Sequence, residues 1–69
     1  MSKLDDKQKD RMSSMALTLN NKGLRLGQSY MVALGDIDKK LYNEITGSEF
    51  DCFYDDNKIK KFFDFINSK

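Results

Sequence analysis

Sixty-nine residues with 12 basic and 11 acidic side chains, no histidine, no proline and one cysteine make at most one small domain. A chain this short buries only about 60% of the surface its unfolded form exposes, and its core rarely contributes more than roughly 3–5 kcal/mol. One cysteine excludes an internal disulfide, and without histidine the usual ligand set of a structural zinc is missing, so packing, a partner or self-association must supply the stability.

The single thiol suits a reducing compartment. The opening "MSKLDDKQKD" has no apolar run, and no stretch approaches the ~20 apolar residues that span a bilayer. The expectation is a cytoplasmic protein with no membrane attachment and no cofactor. A net charge of +1 argues against a dedicated nucleic-acid binder and against an acidic DNA mimic. Charge is unevenly spread, however. Residues 1–25 carry six basic and three acidic side chains, residues 26–56 two and seven, and residues 57–69 four and one. Basic ends flank an acidic middle, which leaves room for local patches of either sign.

The first segment reads as a polar helix over residues 1–20. Ser2 followed by Asp5 is a capping-box pattern, and Asp5 and Asp6 suit the positive end of a helix dipole. Leu4, Met12, Met15, Ala16 and Leu19 share one face, with Gln8 interrupting the stripe. The first two turns are polar enough to fray. Asn20, Asn21 and Gly23 supply a stop, because Gly and Asn adopt the left-handed conformation common just past a helix end.

Residues 24–66 read as the helical core. Leu26, Tyr30, Ala33, Leu34 and Ile37 form a second apolar face, weakened at Gly35 by about 1 kcal/mol relative to Ala. Asp38 is placed as the N-cap of a third, short helix "KKLYNEIT" ended by Gly47. One kinked helix from Arg25 to Thr46 is the alternative, since the stripe continues through Leu41 and Ile45. The last segment is the clearest: Ile59, Phe62, Phe63 and Ile66 fall at i, i+3, i+4 and i+7, with Asp55 or Asp56 as cap. Only "SEFDCFY" alternates like a strand, over too few residues to found a sheet. The fold class expected is all-α, a small bundle of three to four helices in a single domain. The N-terminal helix is packed across the others or partly detached.

"RLGQSYMVAL" and "EITGSEFDCFYDDNKIKKFFDFI" together resemble a group of short phage and prophage proteins. Their pattern runs R-x-G-Q-A-x-x-N-A-L and then I-R-G-T-x-x-D-P-F-Y-D-D-x-R-I-x-x-F. The resemblance spans Arg25 to about Phe63 and is carried by Arg25, Gly27, Gln28, Ala33 and Leu34, then Ile45, Gly47, Asp51, Phe53, Tyr54, Asp55, Asp56 and Ile59. Ser29, Val32, Ser48 and Cys52 depart from it, Cys52 standing where the pattern has proline. The resemblance implies a phage-type source, an extended Asp51–Tyr54 and a thiol dispensable to the shape. It supplies no catalytic residues.

Each candidate site has a plainer explanation beside it. Cys52 as a nucleophile needs a base to form the thiolate, and four nearby acids would raise its pKa instead; a small buried hydrophobe is the plainer account. Glu49, Asp51, Asp55 and Asp56 are the right donors for calcium or magnesium but lack EF-hand spacing. Caps and turns account for them, with Phe50, Phe53 and Tyr54 as a strap over the core. Lys7, Lys9, Arg11, Lys58, Lys60, Lys61 and Lys69 form a phosphate-binding surface only if the two basic ends fold side by side. "GLRLGQ" is not a P-loop, and Gly27 there suits close packing and Gln28 a local cap.

These readings lead to a non-enzymatic accessory protein that binds and modulates or inhibits a host protein. The alternative is a small nucleic-acid-associated protein, and a homo-oligomer that completes its own core is a third. The residues expected to contact a partner are Met12 and Met15, because Met repacks readily, together with Arg25, Gln28, Asp51 and Tyr54 from the shared pattern.

Overall fold

The computed structural model describes residues 3–68. Four helices follow in chain order: α1 Asp6–Asn21, α2 Leu26–Ile37, α3 Lys39–Ile45 and α4 Ile59–Asn67, the last entered through a 3-10 turn at Asp56–Lys58. No strand occurs among the described residues. The protein is an all-α bundle, and its radius of gyration of 10.8 Å matches the ~11 Å of a compact domain of this length.

α1 starts three residues later than a Ser2 cap implies; Ser2 itself lies outside the described residues. Asp5 is the N-cap. Its Oδ1 accepts from the Gln8 N–H at 2.8 Å, and Gln8 Oε1 accepts from the Asp5 N–H at 3.0 Å. Two otherwise orphaned donors are thus satisfied reciprocally, which gives Gln8 a role the apolar stripe did not. The segment before the helix is anchored rather than loose. Leu4 is buried in the core, and the Lys3 N–H donates to the Ile66 carbonyl at 2.9 Å. α1 packs on α2 through buried Met12 and Ala16.

The stop after α1 is a Schellman motif. Gly23 takes φ 111° and donates to the Asn20 carbonyl, while Leu24 donates back to Leu19. A left-handed residue is what lets both orphan carbonyls be reached.

α2 is the central element, packed on α1, α3 and the 3-10 turn. Its buried residues are Gly27, Ser29, Met31, Ala33 and Leu34, whereas Leu26, expected on the buried face, is 39% exposed. Buried Ser29 is satisfied by donating to the Arg25 carbonyl at 2.8 Å. Asp38 divides α2 from α3, so the single kinked helix does not form. Its backbone is extended (φ −149°, ψ 91°), its N–H closes α2 on the Leu34 carbonyl, and its Oδ1 caps α3 at the Leu41 N–H, 3.0 Å away. α3 ends at Ile45, and Gly47 beyond it has φ 81°.

α4 buries Phe62 and Ile66, with Ile59 and Phe63 half-buried beside them. Tyr30 meets the Phe63 ring edge-on at 4.9 Å and lies 6.1 Å from Phe62. Phe65, outside the expected stripe, stacks on Phe50 at 4.5 Å with the Lys3 ammonium 4.4 Å from its centroid. Aromatic pairs of this kind add to what area burial alone contributes.

Candidate functional site

The stretch from Gly47 to Lys58 holds four carboxylates, and it is a strap fastened by hydrogen bonds. Asp51 Oδ2 accepts from the Gly47 N–H and Oδ1 from the Phe53 N–H, both at 2.9 Å. Asp55 Oδ1 accepts from the Asn57 N–H at 2.9 Å and caps the 3-10 turn that leads into α4. Asp56 does something else. Its Oδ1 accepts from the N–H of Gly27, 29 residues earlier, at 2.9 Å. The N-cap residue of α2, Arg25, makes no side-chain cap bond; Asp56 supplies that bond from across the chain. A carboxylate at a helix N-terminus is favoured both by the free donors and by the dipole.

Two more bonds close the same junction. The Arg25 guanidinium donates to the Phe53 carbonyl at 2.7 Å, and the Cys52 thiol to the Gly27 carbonyl at 3.4 Å. A Cβ on Gly27 would overlap the Cys52 carbonyl and come 2.8 Å from Asp56 Oδ1, so only glycine allows the strap this close. Gln28 does not form the local cap its position suggests. The α2 N-terminus, where a phosphate would sit, already holds the Asp56 carboxylate.

Cys52 is fully buried under the strap. Burial, followed by the neighbouring Asp51 and Asp56 charges, pushes its thiol up to about 12 against a backbone hydrogen bond that lowers it. The neutral thiol is a poor nucleophile, because the thiolate is the reactive form. The folded chain should therefore leave a disulfide-exchange reagent such as DTNB unreacted, while the chain in urea reacts fully. Between the ordinary thiol pKa of 9.0 and about 12, the unfolded state releases a proton that the folded state keeps. Stability contributed by this group is complete below pH 9 and declines as pH rises through that window, by at most about 1.4 kcal/mol per pH unit. Urea titrations at alkaline pH should show a shallower decline for Cys52→Ala; parallel declines would rule this out.

Glu49, Asp51, Asp55 and Asp56 are not drawn together, and among the described residues no group of three Asp, Glu or Cys is placed to hold a metal ion. Among the described residues the two basic segments meet around Lys3, whose Nζ donates to Ser68 Oγ at 2.9 Å and whose N–H donates to the Ile66 carbonyl. Lys58, Lys60 and Lys61 belong to the opposite end of α4. Lys69 lies outside the described residues. No helix among the described residues is long and apolar enough to cross a membrane.

The six residues expected to contact a partner separate into three groups. Met12 is fully buried against α2, so it offers no surface and that expectation is corrected. Met15 lines an open groove of about 370 Å³ between α1 and α2 with Leu19 and Val32. Arg25, Asp51 and Tyr54 gather at the strap, and half-buried Gln28 stands near its α2 end. Phe50 and Phe53 pack on the core as a strap should, but Tyr54 does not. It is 83% exposed, with its ring edge-on to Phe53 at 4.7 Å. Tyr54, Phe53 and Asp51 line a pocket of about 110 Å³ with Met31, Tyr42 and Thr46. Tyr42 and Thr46 were missed from the sequence, although i, i+4 spacing puts Tyr42 on α3 and its C-cap Thr46 on the same side.

Comparison of the chain with family models, with curated proteins and with solved structures finds no match.

Proposed function

We propose that this chain is a phage-type, non-enzymatic accessory protein of the bacterial cytoplasm that binds a host protein and modulates or inhibits it through the face around Tyr54. The observation that carries this reading is Tyr54 itself, 83% exposed on a strap held by backbone and side-chain hydrogen bonds at Asp51, Phe53, Asp55 and Asp56. A large aromatic held out to solvent on a fixed segment loses little entropy on binding and is the residue type that dominates interface energetics. The phage resemblance, the small size and the commitment of the strap carboxylates to backbone donors support the same reading.

The test is a tagged bait in bacterial extract, compared with its Tyr54→Ala variant and rebuilt from purified components. Tyr54→Ala should leave thermal stability within about 0.5 kcal/mol, as surface changes do, yet cost the captured protein at least about thirtyfold in affinity, the ~2 kcal/mol effect typical of a central aromatic. Equal capture by both baits sinks the assignment of this face. A mobility shift with nucleic acid that falls steeply with salt would replace a protein partner with a phosphate backbone.

A further inference from the structure

We infer that the strap pocket receives a cationic side-chain head group, an alkylammonium or a guanidinium, from the protein partner. This rests on the preceding assignment of the Tyr54 face and specifies its chemistry. Three aromatic residues, Tyr42, Phe53 and Tyr54, line the pocket together with Met31, Thr46 and Asp51. Ring faces carry negative quadrupole density and attract cations, which is how aromatic cages hold ammonium groups. Asp51 strengthens that preference. Both its oxygens accept from neutral backbone N–H groups, and each keeps a lone pair to offer to a further donor.

Size and charge narrow the occupant. The volume of about 110 Å³ is well below the ~300–1,000 Å³ of cofactor and drug-sized sites, but it accommodates one side-chain head. An anion would meet Asp51 at close range, and a purely apolar group would strip water from that carboxylate without replacing the contact. Among the described residues no lysine or arginine lines the pocket, and Arg25 is engaged by the Phe53 carbonyl.

The experiment is an amide chemical-shift titration of the full chain with N-acetyl-arginine amide, N-acetyl-lysine amide and the uncharged arginine isostere N-acetyl-citrulline amide. At least one cation should give saturable shifts centred on Tyr42, Thr46, Phe53 and Tyr54, with citrulline about tenfold weaker or more. Tyr54→Ala, which removes no buried contact, should weaken that cation about threefold or more. Asp51→Asn should weaken it further while the spectrum stays that of the folded chain. Equal shifts from citrulline, or shifts spread over Asp36, Glu44 and Asp64 and unchanged by Tyr54→Ala, overturn the inference. Tyr54-dependent capture of a host protein without cation binding would leave the preceding assignment standing and remove only this one. Cation binding without any captured protein would do the reverse.

Discussion

Phe62→Ala is expected to leave a large fraction of the molecules unfolded at 25 °C. The ring is fully buried, 6.1 Å from Tyr30 and 5.4 Å from Phe63 between ring centroids. Replacing a buried Phe by Ala costs about 3–5 kcal/mol, part lost transfer energy and part cavity. A 69-residue domain has roughly 3–10 kcal/mol in total, so one side chain consumes a large share of it. Phe63 is only half-buried, and its alanine variant should cost about half as much. Thermal melts followed by circular dichroism decide the point. A Phe62→Ala protein that melts with its parent would mean that α4 is not seated as described.

Gly27→Ala is the second large effect, and intrinsic propensity alone predicts the opposite sign. Alanine is better than glycine inside a helix by about 1 kcal/mol. Here the added methyl collides with the Cys52 carbonyl, a backbone atom that cannot rotate aside, and crowds Asp56 Oδ1. Relief requires the strap to lift, which loses the Asp56 cap on α2 and the Arg25 bond to Phe53 together. Overpacking of this kind typically costs about 1–3 kcal/mol, and loss of a cap adds about 1. With the ~1 kcal/mol propensity gain set against these losses, urea titration should show net destabilisation of at least about 1 kcal/mol. A neutral or stabilising result would place the strap farther from α2. Because lifting the strap also moves Phe53 and Tyr54, partner capture should fall with stability.

The elements differ in how plainly the residues announced them. α4 was legible because four apolar residues repeat at helical spacing over its nine residues, and the α2–α3 break because Asp38 is both a poor interior residue and a good cap. The face of α2 was drawn too narrow. A single stripe presumes one neighbour, whereas α2 meets α1, α3 and the strap, so Gly27, Ser29 and Met31 are buried outside the Leu34 stripe. At the N-terminus two overlapping patterns compete, Ser2 with Asp5 and Asp5 with Gln8. The Asp5–Gln8 box is present, and Leu4, before the helix, is buried in the core.

The candidate site was legible in part. Asp51 as a turn-bonding residue and the strap itself follow from short polar side chains between two helices. The pairing of Asp56 with Gly27 does not. Each residue has a satisfactory local explanation, and nothing within a window of the sequence links positions 29 apart. Tyr54 was named as a contact residue, but the outward turn of its ring was not legible, because a strap has no period that separates an inward ring from an outward one.

That distant cap bears on the order of assembly. α1 and α2 look like a self-sufficient helical hairpin, able to close early because the contacts between them are near in sequence. Yet the hairpin's second helix begins with a donor that nothing in the first 50 residues satisfies, and the carboxylate that answers it arrives only with residue 56. A hairpin formed earlier leaves that N–H to water, so the cap, a contribution of about 1 kcal/mol, is gained only when the strap that presents Tyr54 closes over α2.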